Sequence, residues 1–159
     1  MNNHKAEVLV AYTRPEMWRV VQRRKIANQA ADKKDAKYIA FLLVGRKDEN
    51  GNYLPSAITH IAKVKESRVV ETNEDYFKEE LFEAEELANL RGWKGGGYAK
   101  EYILCDIEKL PHEIVHRKGK PAKGRVCFYT KLSELEKVNF IDEIKTESHL
   151  EKEGKVKHI

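Results

Sequence analysis

The run Tyr38–Val44 (YIAFLLV) is apolar almost throughout and of strand length, and Asp48-Glu49-Asn50-Gly51-Asn52 shortly after it carries the Asn-Gly signal that reverses a chain. A second strand is expected to return from that turn. Over Ser56–Val70, Ile58, His60, Ala62 and Val64 hold one parity and Thr59, Ile61, Lys63 and Lys65 the other, the alternation of a half-buried antiparallel strand. No apolar run in the chain approaches the ~18 residues needed to cross a bilayer, and the polar stretch Met1–Glu7 lacks the hydrophobic segment of a signal peptide. A cytoplasmic protein with no membrane partner is the expectation.

The remaining elements are read around this hairpin. Glu7–Tyr12 is a strand, and Thr13-Arg14-Pro15-Glu16 offers a hydroxyl cap, an early proline and an acid to start a helix with Met17, Val20 and Val21 on its apolar stripe. Asn28–Lys37 reads as polar and irregular or loosely helical. Glu71–Asn89 holds eight acids against one lysine, with Tyr76, Phe77, Leu81, Phe82, Leu87 and Leu90 at helical spacing, and is expected to form an acidic amphipathic helix or two short ones. Gly95-Gly96-Gly97 marks a loop. Ala99–Ile107 and Leu110–His116 read as two extended pieces, Val126–Thr130 as the last strand, and Thr130 or Ser133 as the cap of a final helix through Glu136. Short, closely spaced strands argue for an α+β fold, a small, mostly antiparallel β-barrel with peripheral helices over residues 1–144, followed by a charged flexible tail over 145–159. Phe41, Leu43, Ile61, Val64, Ile103, Cys105, Val126 and Phe128 are the expected barrel core.

VLVAYTRPEMW (Val8–Trp18), YIAFLLVG (Tyr38–Gly45), ITHIAKVKE (Ile58–Glu66), YILCDIEKLPHEI (Tyr102–Ile114) and GRVCFYTKLSEL (Gly124–Leu135) together resemble the PUA superfamily, within it the EVE, ASCH and YTH-like group. The resemblance implies a compact PUA-like barrel that binds nucleic acid. It further implies a reader of a modified or flipped base held in an aromatic pocket, in a restriction or RNA-modification context, with a nuclease or motor subunit as partner. The long acidic segment Glu71–Asn89 departs from that pattern.

Charge placement points the same way. The chain carries +4 overall, yet Arg14–Lys37 has eight basic residues against three acids, and Arg117–Arg125 has five basic residues and no acid. Arg14, Arg23, Arg24, Lys25, Lys118, Lys120, Lys123 and Arg125 are therefore the candidate contacts to DNA or RNA phosphates. Trp18, Tyr12, Trp93 and Tyr98 are the candidate base-stacking residues, because any base presents a π face that an aromatic ring can cover.

His112-Glu113-Ile114-Val115-His116 fits the zinc-protease pattern H-E-x-x-H, which needs a helix to bring both histidines to one metal. Pro111 before it and Gly119 and Pro121 after it favour an extended segment, in which residues four apart lie ~13 Å apart. No metal or cofactor is expected, and a zinc-dependent hydrolase stays as an alternative, as does a protein-interaction module using the acidic helix. Cys105 and Cys127 sit in apolar runs and read as buried and inert, and Glu143-Ile144-Lys145 is a weak half of a nuclease motif. The expectation is a binding domain and not an enzyme.

Overall fold

Strands β1 (Ala6–Thr13) and β3 (Ala36–Leu43) run parallel as neighbours and are buried on both faces, which is why their sequences are apolar on successive residues. Leu9, Ala11, Ile39, Phe41 and Leu43 enter one core cluster, while Val8, Val10, Ala40 and Leu42 enter a second on the opposite face. The computed structural model describes residues 5–72, 97–120 and 127–157. Within them β2 (Ile26–Ala30), β4 (Ala57–Thr72), β5 (Gly97–Val115) and β6 (Phe128–Thr130) complete a six-stranded mixed sheet in the order β2-β5-β4-β3-β1-β6. Every pairing apart from β1 with β3 is antiparallel, including the expected β3–β4 hairpin.

Helix α1 (Pro15–Arg24) lays Val21 on the first cluster and connects β1 to β2. The second cluster is covered by Leu135 and Val138 from and beside helix α2 (Leu132–Lys137), then by Ile141 and Ile144 in and after a 3₁₀ turn, Ile141–Glu143. Helix α3 (Glu147–Lys157) lies in the segment read as a charged tail, and its buried Glu147 accepts the Glu7 amide N–H through Oε2 at 3.2 Å. No helix among the described residues is long and apolar enough to cross a membrane.

The sheet is not closed into a barrel. Among the described residues no backbone ladder joins β2 to β6; the two edges meet through side chains, Cys127 Sγ donating to Gln29 Oε1 at 3.1 Å and the Lys34 amide donating to the Tyr129 hydroxyl at 3.0 Å. Among the described residues the short β6 pairs with β1 over Val8–Val10 alone.

Several local expectations are corrected. Asn28–Lys37 is neither irregular nor helical throughout, since Asn28–Ala30 belong to β2, whose partner on β5 satisfies their backbone, and β3 already begins at Ala36. The two extended pieces at 99–107 and 110–116 are one strand, β5, whose register against β4 shifts between Ile58 and His60 and on both sides of Val64. Thr13 does not cap α1: its Oγ1 donates to the Ala11 carbonyl at 2.8 Å, and Arg14 is the N-cap with no side-chain cap bond. Pro15 at the first helical position has no N–H to satisfy and holds Arg14 extended. Thr130 likewise donates to the Lys145 carbonyl at 2.6 Å, and Lys131 stands at the N-cap of α2. Of the expected core, Phe41, Leu43 and Phe128 are buried, Ile61, Val64 and Ile103 are half-buried, and Cys105 is exposed together with Asp106 because both fall where β5 shifts register against β4, between Leu104 and Ile107; Cys127, also read as buried, is half-buried. Val126, most of the acidic segment, Gly95 and Gly96, Trp93, Lys123 and Arg125 lie outside the described residues.

Candidate functional site

The turn from β1 into α1 carries the chain's most suggestive geometry. Pro15 starts the helix and the Trp18 amide donates to the Arg14 carbonyl at 2.8 Å, so the indole is delivered to the first core face. There its ring lies 5.1 Å from Phe41 and 5.0 Å from His60, both at 49°, tilted contacts that fix its plane. Phe41 and His60 are themselves cross-strand partners on β3 and β4. His60 Nδ1 is 2.7 Å from Thr59 Oγ1, and burial, followed by the neighbouring Lys109 charge, pushes its imidazole below the ordinary value, which keeps it neutral at neutral pH. Trp18 thus rests half-buried on an uncharged aromatic floor.

Beside it opens a cavity of about 710 Å³. Thr13, Pro15 and Trp18 form one wall and Leu43 and Val44 the base, while the opposite wall is the loop from Arg46 to Leu54. Gly45 lets the chain leave β3 for that loop with φ +63°, and a Cβ there would stand 3.5 Å from the Pro15 ring. The loop is internally bonded: Asp48 Oδ1 accepts the Asn50 and Asn52 amides at 2.9 Å each, and the Leu54 amide donates to the Arg46 carbonyl at 2.9 Å. It holds out Tyr53, 73% exposed, with the Lys47 ammonium 4.9 Å from the ring centroid, and Leu54 beside it. A smaller hollow of about 210 Å³ lies across the same turn, between β1, α1 and β2, with Tyr12, Arg14, Met17, Asn28 and Gln29 around it. The site is therefore a concave, mainly apolar cavity between an indole and a phenol, with an ammonium at its rim.

The structure brings Trp18, Tyr12 and Arg14 together on this turn, two of them stacking candidates and one a phosphate candidate. Arg23 and Lys25 are exposed at the end of α1, where Lys25 takes a left-handed conformation (φ 59°). Arg24 is placed differently: its guanidinium is 7% exposed and bonds the buried Glu101 carboxylate at 3.2 Å. Lys118 and Lys120 are exposed on the turn after β5. Arg117 there is paired with Asp142 and lies over the Phe140 ring at 4.2 Å. Tyr98 stands exposed near the start of β5, opposite Glu71, and lines neither cavity.

Sequence reasoning passed over Tyr53, Leu54, Lys47 and His60. The signal available was the pair Tyr53-Leu54, two large apolar residues inside a turn-rich segment where packing did not require them. The H-E-x-x-H segment is extended, as its prolines and glycine suggested: His112 Nε2 meets the Val138 carbonyl at 2.9 Å, Ile114 is buried, and His116 Nε2 meets the Lys120 carbonyl at 3.3 Å. Among the described residues no group of three or more His, Cys, Asp or Glu side chains is placed to hold a metal. Glu143 accepts the Asn139 and Phe140 amides while Lys145 pairs with Glu153, so the half nuclease motif is engaged in local structure. No family model matches the chain, and no curated protein matches it in sequence.

Proposed function

We propose that this domain binds nucleic acid by receiving an unstacked base in the cavity beside Trp18. The observation that carries the reading is the cavity itself: an indole in contact with Phe41 and His60 lines it together with an internally hydrogen-bonded loop bearing Tyr53, with the Lys47 ammonium beside the phenol where a phosphate would pass. Exposed Arg23, Lys25, Lys118 and Lys120 supply sequence-independent charge, and the smaller hollow at Tyr12 and Arg14 adjoins the same turn. This reading agrees with what the PUA-like resemblance implies, including preference for a modified base, which an apolar pocket favours by excluding water.

Fluorescence anisotropy with labelled single-stranded and duplex DNA and RNA, unmodified and base-methylated, across a salt series, tests it. Wild type should bind with affinity that falls as salt rises. Trp18→Ala and Tyr53→Ala should each lose about 10-fold or more for the preferred oligonucleotide, since a stacked base is worth ~1–3 kcal/mol. Tyr53 is exposed, so its loss leaves the fold intact and separates binding from unfolding. Salt-independent or absent binding, or wild-type affinity in both variants, would refute the reading.

A further inference from the structure

Glu113 is the glutamate of the H-E-x-x-H segment, and the structure gives it a role unrelated to metal. Ile114 belongs to the second core cluster, so on the two-residue period of β5 Glu113 projects to the other face, the face of Trp18. Both of its carboxylate oxygens accept from Arg46 Nη1, at 3.3 and 3.2 Å. The same guanidinium donates from Nε and Nη2 to the Pro55 carbonyl, at 3.0 and 2.7 Å. Arg46 begins the loop that walls the cavity and Pro55 directly follows its end, so one side chain clasps the two ends of the loop together. Glu113 fixes that clasp to β5. Arg46 is 16% exposed and Glu113 42%, a solvent-touched pair whose planar, many-bonded geometry sets position more than it adds stability.

We propose that Glu113 is a positioning residue for the Trp18 cavity, acting through Arg46 to set where Tyr53 and Leu54 stand opposite the indole. That the ligand is a nucleotide rests on the reading above; that Glu113 places the wall does not. The loop's remaining bonds are internal to it and move with it, so releasing the clasp frees the wall as a unit. A ligand must then order that wall on binding, which weakens affinity without removing any contacting group.

The test uses the full chain; the quenching arm alone carries Trp93→Phe, so that Trp18 is the sole tryptophan emitter, and binding and exchange are read with Trp93 in place. In Glu113→Ala, acrylamide quenching of Trp18 should rise, and the Asp48, Gly51 and Leu54 amides, bonded within the loop, should exchange faster. Binding of a fluorescein-labelled mixed-sequence single-stranded oligonucleotide should weaken by about 2- to 5-fold, the range of an exposed ion pair. Glu113→Gln keeps a neutral acceptor and should fall between wild type and Glu113→Ala. Arg46→Ala should lose more, and Arg46→Ala with Glu113→Ala should lose clearly less than the two single losses added together, because Glu113 holds the loop through Arg46. Unchanged quenching and exchange in Glu113→Ala, or losses that simply add in the double variant, would overturn the proposal. If quenching and exchange respond as expected while no form binds the oligonucleotide, the positioning role stands and the nucleic-acid reading falls.

Discussion

Replacing Arg24 by alanine is expected to cost stability first and binding only through it. The guanidinium is 7% exposed and the Glu101 carboxylate it bonds is 1% exposed, whereas Arg68, which bonds the other carboxylate oxygen at 2.9 Å, is 56% exposed. Withdrawing Arg24 leaves a carboxylate inside the sheet beside a partner that water screens, and breaking a buried pair in this way costs about 3–5 kcal/mol. Removing the exposed Arg68 should cost only ~0.2–1 kcal/mol. At roughly 2–4 °C per kcal/mol for a chain of this size, Arg24→Ala should melt about 6–20 °C below wild type. Differential scanning calorimetry beside urea denaturation reads both quantities. As a control, Arg24→Met combined with Glu101→Leu removes both charges together, and should recover most of the loss because no lone charge stays buried. The opposite result is Arg24→Ala melting within about 2 °C of wild type while oligonucleotide affinity collapses. That result would mean the guanidinium serves phosphate and not Glu101.

Three further outcomes are expected. His60 holds a depressed pKa when folded, so the folded state binds fewer protons than the unfolded chain below the ordinary histidine value; stability should therefore fall as pH drops through and below about 6.5, and His60→Gln should flatten that slope in urea titrations run from neutral to mildly acidic pH. Lys25→Gly should stabilise by up to about 1 kcal/mol, since a left-handed lysine carries steric strain that glycine lacks, while removing one candidate phosphate contact and lowering the salt slope of binding. Gly45→Ala should destabilise by about 1 kcal/mol from its positive φ alone, because the new methyl would meet Pro15 at ordinary contact distance; a neutral effect in thermal melts would show the loop rearranging at no cost.

Strand identity was legible wherever side-chain patterning decides it. Tyr38–Val44, the alternating Ser56–Val70 and Glu7–Tyr12 all form strands close to where their residues place them. What sequence could not supply was the partner. Asn28–Ala30 is polar and carries no strand signal of its own, and it becomes a strand because β5 offers an edge to pair with. Sheet closure depends on where the two edges finish, which residue periodicity does not encode. Caps failed for a related reason: Thr13 and Thr130 are suitable residues, but each hydroxyl found a nearer carbonyl. At the site, Trp18 and Tyr12 were visible as aromatics flanking a strand-to-helix turn, whereas Tyr53 and His60 act there through contacts set by tertiary folding.

A sheet whose two edges, among the described residues, are joined by side-chain contacts such as Cys127–Gln29 and Tyr129–Lys34 and by no backbone ladder is, mechanically, a curved sheet slit along its length. Slit tubes keep most of their resistance to bending but little to twisting, because shear is no longer carried around the circumference. Here the compliant line runs between β1 with its short neighbour β6 and β2, and the smaller hollow, flanked by Tyr12 on one side and Asn28 and Gln29 on the other, straddles it. The base of the Trp18 cavity, by contrast, lies at the end of β3, which is paired on one side with β1 and on the other with β4, the second ladder shifting register between Phe41 and Leu42. One chamber is therefore walled by strands joined through backbone ladders, whereas the other spans two sheet edges that no ladder among the described residues joins, so the β1–α1 turn stands between a paired frame and an unpaired one.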